Sequence, residues 1–175
     1  MEQVILVDEQ DNEIGLMEKI EAHRQALLHR AFSIFIFNSK GEMLLQQRSL
    51  KKYHCGGMWT NACCSHPRAN EQNINAAIRR LKEEMGIETS LEKIFDFTYK
   101  AEFDNGLTEY EFDHVFVGYY DGDVDVDYDE VEEFVWATMP RIEESVTNRS
   151  YFYTPWFLIA FPKVNEWWKA QQLEK

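Results

Sequence analysis

The chain has 175 residues, of which 45% are hydrophobic and 28% charged, and its formal net charge is −13 at pH 7. This acidic balance argues against nonspecific binding to nucleic acid or anionic membranes, because such binding needs a surplus of Lys and Arg to neutralise phosphates. The length predicts a single domain over residues 1–175. With no basic amino-terminal region and no apolar run near the roughly 20 residues of a membrane span, we expect a cytoplasmic protein.

The first half of the chain predicts strands followed by one clear helix. "QVILV" predicts a strand, and residues 31–48 predict a hairpin, since "AFSIFIF" and "EMLLQQR" flank the turn sequence "NSKG". Apolar residues then recur at helical spacing from Asn73 to Met85, and Gly86 is placed to end that helix. The apolar sector of the helix is Ile74, Ala77, Ile78, Leu81 and Met85.

The second half predicts another hairpin and a terminal helix. "IFDFTYKAEF" and "LTEYEFDHVFVGYY" flank the turn "DNG", "FVWA" at 134–137 predicts a strand, and the last 20 residues predict a helix beginning near Pro155. Elements in this order predict an α+β fold, or an αβα sandwich with a mixed sheet.

The acidic segment "DGDVDVDYDEVEE" places carboxylates at positions one, three, five and twelve of a calcium loop. Its sixth position is Val126, where such a loop needs glycine to turn. A solvated acidic loop leading into a strand is therefore favoured over a calcium site.

The three cysteines include the adjacent pair Cys63 and Cys64, and their odd number argues against a disulfide framework. A free cysteine is usually a small buried apolar residue, so Cys64 alone does not indicate catalysis. The basic cluster "RSLKK", from Arg48 to Lys52, is likewise either a solvated loop or a phosphate clamp.

Several other residues could bind a metal if the fold brings them together. Glu109 and Glu111 are two residues apart in a predicted strand, so their carboxylates lie on one face. His23 and His29 are six residues apart and converge only through a turn, while His66 follows the cysteine pair. Separately, such residues are more often exposed or hydrogen-bonded; together they make a plausible octahedral or tetragonal divalent-metal site.

The segment from Ser65 to Ile87 resembles the Nudix box, a loop, helix and loop motif. The matching residues are Glu71, Arg79, Leu81, Glu83, Glu84, Gly86 and Ile87. Two positions differ from the box: Ser65 occupies the position of its first Gly, and Arg80 occupies the position of a Glu. A Nudix hydrolase uses the helical glutamates to hold metal ions that activate water, so the missing glutamate weakens the case for hydrolysis.

A wider pattern resembles the type 1 isopentenyl-diphosphate isomerases, a family with the Nudix fold. The match runs in order through "EKIEAH", "LHRAF", "FNSKGEMLLQQRSLKK", "WTNACCSHP", the box, "TEYEFDHVF" and "TPWF". This resemblance implies a Nudix-type αβα sandwich with a mixed sheet, and an enzyme that interconverts isopentenyl and dimethylallyl diphosphates.

The resemblance also implies roles for individual residues. Cys64 and Glu111 match the acid/base pair on opposite faces of the substrate, and Trp156 and Tyr99 match residues that line the hydrocarbon pocket. The family binds one divalent metal ion, which could be Mg²⁺, Mn²⁺ or Zn²⁺ in this chain. The positions that match its ligands are His23, His29, His66, Glu109 and Glu111. The positions matching the diphosphate end are Arg48, Lys52 and Arg80, with Glu84 for a Mg²⁺ that bridges to the diphosphate.

Two other functions share parts of this pattern. A Nudix diphosphate hydrolase would release phosphate or pyrophosphate, and a catalytically silent module would bind a diphosphate without turnover. The altered box and the presence of both Cys64 and Glu111 favour the isomerase. The sequence leaves open which of these two residues protonates the alkene, which metal is native, and the oligomeric state.

Overall fold

Nine strands and four α-helices make up the fold in the computed structural model, which describes residues 1–175. The strands are β1 (Gln3–Val7), β2 (Glu13–Glu18), β3 (His29–Phe37), β4 (Glu42–Arg48), β5 (Trp59–Thr60), β6 (Cys63–Ser65), β7 (Glu92–Glu102), β8 (Thr108–Tyr119) and β9 (Val131–Thr138). The helices are α1 (Lys19–Arg24), α2 (Asn73–Met85), α3 (Met139–Asn148) and α4 (Pro155–Leu173). No helix combines the length and the apolar character that a membrane span requires.

A mixed sheet forms the centre of the molecule. Strands β3 and β8 pair in parallel, with His29 beside Glu111 at one end and Phe37 beside Tyr119 at the other. The remaining pairs are antiparallel: β1 pairs with β2, β7 pairs with β8, β3 pairs with β1, β4 and β6, and β4 pairs with β5 and β9. The parallel register therefore places two predicted metal ligands on neighbouring strands.

The hairpin expected over residues 31–48 forms only at its turn. β3 and β4 pair at Phe37 and Met43, and beyond that point they have different partners. β3 continues against β6 and β8, while β4 continues against β9. These partners are distant in sequence, so the local hairpin pattern could not indicate them.

Helix α2 has the predicted bounds. Gly86 ends it with a φ of +66°, and an added Cβ there would lie 2.7 Å from the carbonyl oxygen of Asp125, so both the conformation and the close approach require glycine. The predicted apolar sector is wrong at Ile78, which is exposed. The buried apolar residues of the helix are Ala76, Ala77, Leu81 and Met85.

Two apolar clusters lie on opposite sides of the sheet. One packs α2 against residues such as Phe32, Ile34 and Ile36 of β3. The other packs α3 and α4 against the opposite side, where the Phe35 and Phe157 rings stack at 6.1 Å. Helices therefore cover both sides of the sheet, which confirms the predicted αβα sandwich.

The acidic segment forms a loop over the end of α2 before β9 begins. The backbone N–H groups of Asp125 and Asp127 donate to the carbonyl oxygens of Met85 and Glu84, and Val126 is buried. Val126, which occupies the position where a calcium loop needs glycine, is therefore part of the core.

Glu71 and Arg79 tie the loop before α2 to the helix. The Nε and Nη2 atoms of Arg79 donate to the two carboxylate oxygens of Glu71 at 2.8 and 2.9 Å, and the backbone N–H of Arg68 donates to the same carboxylate at 2.8 Å. The hydrogen bonds from Arg79 hold the pKa of Glu71 below its ordinary value.

We expect Glu71→Gln to lower the free energy of unfolding by about 1–2 kcal/mol at pH 7, because a charge-assisted bidentate pair is lost. A depressed folded-state pKa means that this stabilisation is present above the unfolded-state pKa of about 4.3 and is lost as the pH falls through the lower folded-state value. Urea unfolding from pH 7 down to pH 3 should therefore show the two proteins converging. Glu133→Gln, at an exposed position of β9, is the matched control, and a difference that stays constant with pH would contradict the prediction.

Candidate active site

A cavity of about 580 Å³ opens between β6, β8 and the start of α4. Ten of the twelve predicted site residues line it: Arg48, Lys52, Cys64, His66, Arg80, Glu84, Tyr99, Glu109, Glu111 and Trp156. The other two, His23 and His29, are fully buried. The structure thus brings the predicted residues to one place.

The three predicted histidines present free ring nitrogens to one another. The Nδ1 atom of His23 lies 2.6 Å from the carbonyl oxygen of Lys19, and that of His29 lies 2.9 Å from the carbonyl oxygen of Leu27. A carbonyl only accepts, so each Nδ1 carries the proton and each Nε2 keeps its lone pair. The Nε2 atoms of His23, His29 and His66 are buried and have no hydrogen-bond partner. One ring nitrogen from each of these histidines lies within 4.8 Å of the others. Such a donor set fits a divalent metal.

The turn between α1 and β3 makes this convergence possible. α1 ends at Arg24, and Ala26 adopts a φ of +53°, which reverses the chain. The backbone N–H of Leu27 then donates to the carbonyl oxygen of Ala22 at 3.0 Å. Two histidines six residues apart, which would diverge on one continuous helix, therefore meet.

The two glutamates of β8 complete this cluster. Glu109 Oε1 lies 3.9 Å from His23 Nε2, and Glu111 Oε2 lies 3.3 Å from His66 Nε2 and 4.0 Å from His29 Nε2. Both carboxylates point to the same side because the residues alternate along the strand, as predicted.

Tyr99 of β7 joins the two carboxylates. It lies directly opposite Glu111 in the register, and its hydroxyl oxygen is 2.7 Å from Glu111 Oε1 and 2.9 Å from Glu109 Oε2. One phenol proton can serve both carboxyls only if one of them is itself protonated. Burial and the adjacent charge of Glu109 raise the pKa of Glu111 well above its ordinary value.

The Cys64 sulfur also borders the cavity and has three polar neighbours. The indole Nε1 of Trp156 donates to it at 3.0 Å, and the thiol donates to Asn61 Oδ1 at 3.2 Å. The Nδ2 atom of Asn61 donates to the backbone carbonyls of Ile34 and Cys63, which fixes the amide oxygen towards the sulfur.

Ser33 is the third polar neighbour of this sulfur, and it is itself bound to Asp113. Ser33 Oγ lies 3.5 Å from Cys64 Sγ and donates to Asp113 Oδ2 at 2.7 Å. Burial, followed by the negative charge of Asp113, raises the pKa of Cys64 to about 12. Cys64 is therefore a neutral thiol at neutral pH.

The basic residues lie at another part of the cavity. Arg48 stacks over the Trp156 ring at 5.2 Å, and its buried Nε has no partner, so this guanidinium keeps donors for an anion. Lys52 is ion-paired with Glu130.

Arg80 and Glu84 face the same cavity from α2. Arg80 Nη2 lies 2.5 Å from Glu84 Oε1, and Gln46 Nε2 donates to the other oxygen at 3.3 Å. Glu84 does not belong to the histidine cluster. Its binding of a Mg²⁺ on the diphosphate stays a prediction.

The cavity is much less acidic than the rest of the chain. Six of the chain's 18 basic residues line it, against six of its 31 acidic residues. The basic lining residues are Lys19, Arg48, Lys52, Arg68, Arg79 and Arg80. A local concentration of cations explains how an acidic protein can bind an anion.

Sequence reasoning missed four residues of the site: Ser33, His54, Asn61 and Asp113. Asp113 could have been found, since it continues the alternation of Glu109 and Glu111 on the same face of β8. His54 lies in an irregular loop where no periodicity applies.

Comparison with known proteins agrees with this geometry. A model of the NUDIX domain matches residues 27–157. The isopentenyl-diphosphate Delta-isomerase of Serratia proteamaculans is 47% identical over 157 residues, which cover 90% of this chain and 88% of that protein. Isopentenyl-diphosphate Delta-isomerase 2 of Aromatoleum aromaticum is 46% identical over 163 residues, covering 93% and 86%.

Solved structures show the same fold at low identity. DR0079 from Deinococcus radiodurans has a TM-score of 0.71 and 20% identity, covering 85% of this chain and 90% of that one. A MutT protein from Methanosarcina mazei has a TM-score of 0.65 and 22% identity, covering 79% and 94%. By the domain match and by the identity to its relatives, the chain belongs to the Nudix family and, within it, to the isopentenyl-diphosphate Delta-isomerases.

Proposed function

We propose that the protein interconverts isopentenyl and dimethylallyl diphosphates, with Cys64 and Glu111 as the acid/base pair. The observation that carries the proposal is that Cys64 and Glu111 line one cavity and that each is hydrogen-bonded to an aromatic side chain, Trp156 for the thiol and Tyr99 for the carboxyl. We also propose that residues 1–175 act as a single domain, since the site takes residues from α1 through α4.

The reaction adds a proton to the terminal carbon of the alkene and removes one from the carbon two positions away. Protonation generates a tertiary carbocation-like state, so one group must donate and the other must accept. The donor in one direction is the acceptor in the other, and the two groups are therefore assigned as a pair.

The contacts of Cys64 suit both of its protonation states. The neutral thiol donates to Asn61, and a thiolate would be stabilised by the N–H of Trp156, which strengthens its hydrogen bond to a charged acceptor. Tyr99 holds Glu111 through its hydroxyl.

Trp156 contributes a second effect, because its ring borders the space where positive charge develops. An indole face stabilises a desolvated cation by about 2 kcal/mol. Trp156 is 2% exposed and Tyr99 is 6% exposed, so both also keep water from a reactive intermediate.

A divalent ion would be held by His23, His29, His66, Glu109 and Glu111. When bound, it supplies positive charge that neutralises the paired carboxylates and fixes the orientation of Glu111. Arg48 and Lys52 would bind the diphosphate, with Arg80 as a third contact, and Lys52 would exchange Glu130 for the anion. Glu84 would hold a Mg²⁺ that supplies positive charge for the diphosphate.

A Nudix diphosphate hydrolase is the competing function. The ion pairs of the box argue against it, because Arg80, which replaces the box glutamate, binds both Glu83 and Glu84. Arg80 also places a cation where the box has a carboxylate, so the box has one metal-binding group fewer for the ions that activate water.

Proton and phosphorus NMR of isopentenyl diphosphate with the protein and Mg²⁺ in D₂O tests the proposal. We expect conversion to dimethylallyl diphosphate, deuterium in the carbon skeleton and an intact diphosphate. Release of phosphate or pyrophosphate without deuterium uptake would establish the hydrolase instead. Binding without either change would indicate a silent diphosphate-binding module.

A further inference from the structure

His54 is a buried histidine with no assigned role in the proposed reaction. It lies in the loop after β4 and is 6% exposed, and neither of its ring nitrogens has a hydrogen-bond partner. The ring stacks on Phe103 at 4.8 Å with an interplanar angle of 17° and packs edge-on against Tyr53 at 4.4 Å. A fixed, buried imidazole with unused nitrogens is costly unless it has a ligand.

The His54 ring is directed at the metal cluster. Its Nε2 atom lies 2.8 Å from Glu109 Oε1, and one donor atom from each of His23, His54 and Glu109 lies within 4.8 Å of the others. This group shares His23 with the cluster of three histidines described above. The two groups are therefore parts of one continuous set of donors.

An ordinary hydrogen bond does not explain the short contact with Glu109. The separation would suit one, but the contact lacks the direction of an N–H···O hydrogen bond, and His54 Nε2 is left without a partner. Donors next to each other around an octahedral ion with bonds of about 2.1 Å are about 3 Å apart. A separation of 2.8 Å therefore fits two ligands of one ion.

We propose that His54 is a further ligand of the divalent ion, in addition to the three histidines and two glutamates named above. The inference rests on the metal site of the proposed function. Four imidazoles and two carboxylates would fill six positions, and nitrogen donors favour a transition metal over Mg²⁺.

Mn²⁺ binding to the full-length protein tests this assignment without substrate. Pulsed EPR of bound Mn²⁺ detects coordinated imidazole nitrogens, and we expect four histidines in the unaltered protein and three in His54→Gln. The substitution should also weaken Mn²⁺ binding by about 10- to 100-fold, with a smaller effect on Mg²⁺. His114→Gln is the matched control, because His114 is buried against Asp11 outside the cluster.

Three results would overturn the inference. Three coordinated histidines in the unaltered protein would exclude His54 even if the variant failed to fold. Weaker binding with an unchanged nitrogen count would place His54 outside the coordination sphere, as a residue that only orients Glu109. Failure of the unaltered protein to bind Mn²⁺ would remove the site. The D₂O experiment reports on isomerisation separately, so a failure of the proposed function is distinguishable from a failure of this assignment.

Discussion

Cys64→Ala is expected to lower kcat for isopentenyl diphosphate by about 10³-fold or more while leaving the fold intact. The change removes the thiol that accepts the hydrogen bond of the Trp156 N–H and carries a proton in the cavity, and a positioned acid or base contributes about 10²- to 10⁴-fold. Steady-state kinetics, with urea unfolding of the same samples, measures the effect. Because the loss is of a proton transfer and not of diphosphate binding, KM should change little.

Cys63→Ala is the matched control for this result. Cys63 is fully buried beside α2, and alanine removes one atom without creating a buried polar group. Activity should stay within a few-fold of the unaltered protein. If Cys64→Ala retained activity within tenfold of the unaltered protein, the role proposed for this thiol would be wrong.

Glu111→Gln is expected to produce a loss of the same order. A carboxamide keeps the size of the side chain and an oxygen for the Tyr99 hydroxyl, but it cannot take up or release the proton. Deuterium incorporation from D₂O should disappear together with turnover, because the two arise from one proton transfer. Glu133→Gln serves again as the control for a charge change on an exposed strand.

Metal content must be measured in the same Glu111→Gln samples. If the variant lost its metal along with its activity, adding the divalent ion in excess should restore occupancy but not turnover. Restored turnover would show that Glu111 acts only by holding the ion, and the acid/base role would then be withdrawn.

Local patterns predicted those parts of the site that depend on one element. The helical spacing from Asn73 to Met85 predicted the bounds of α2, and the two-residue spacing placed Glu109 and Glu111 on one face. Pairings between distant segments could not be read in this way. The separation of β3 from β4 after Phe37 depends on β8 and β6, which the sequence of residues 31–48 does not contain.

The site residues that were missed have the same explanation. His54 carries no periodic signal, and its approach to Glu109 depends on where an irregular loop crosses the sheet. Ser33 is a polar residue within the apolar stretch of β3, and its partners are Asp113 on β8 and the sulfur of Cys64 on β6. His54 and Ser33 both contact residues that are distant in sequence, and such contacts form only in the folded chain.

The parallel pairing of β3 with β8 has a consequence for how the molecule folds. His29 and Glu111 are neighbours in the sheet although about 80 residues separate them along the chain, and a slip of one residue would turn the glutamates to the opposite face. Closing so long a loop costs conformational entropy before any contact repays it, and parallel strands of high contact order form slowly. The donor atoms of the metal cluster therefore come together only when this long-range pairing is complete, and uptake of the ion during refolding would follow the assembly of the whole sheet.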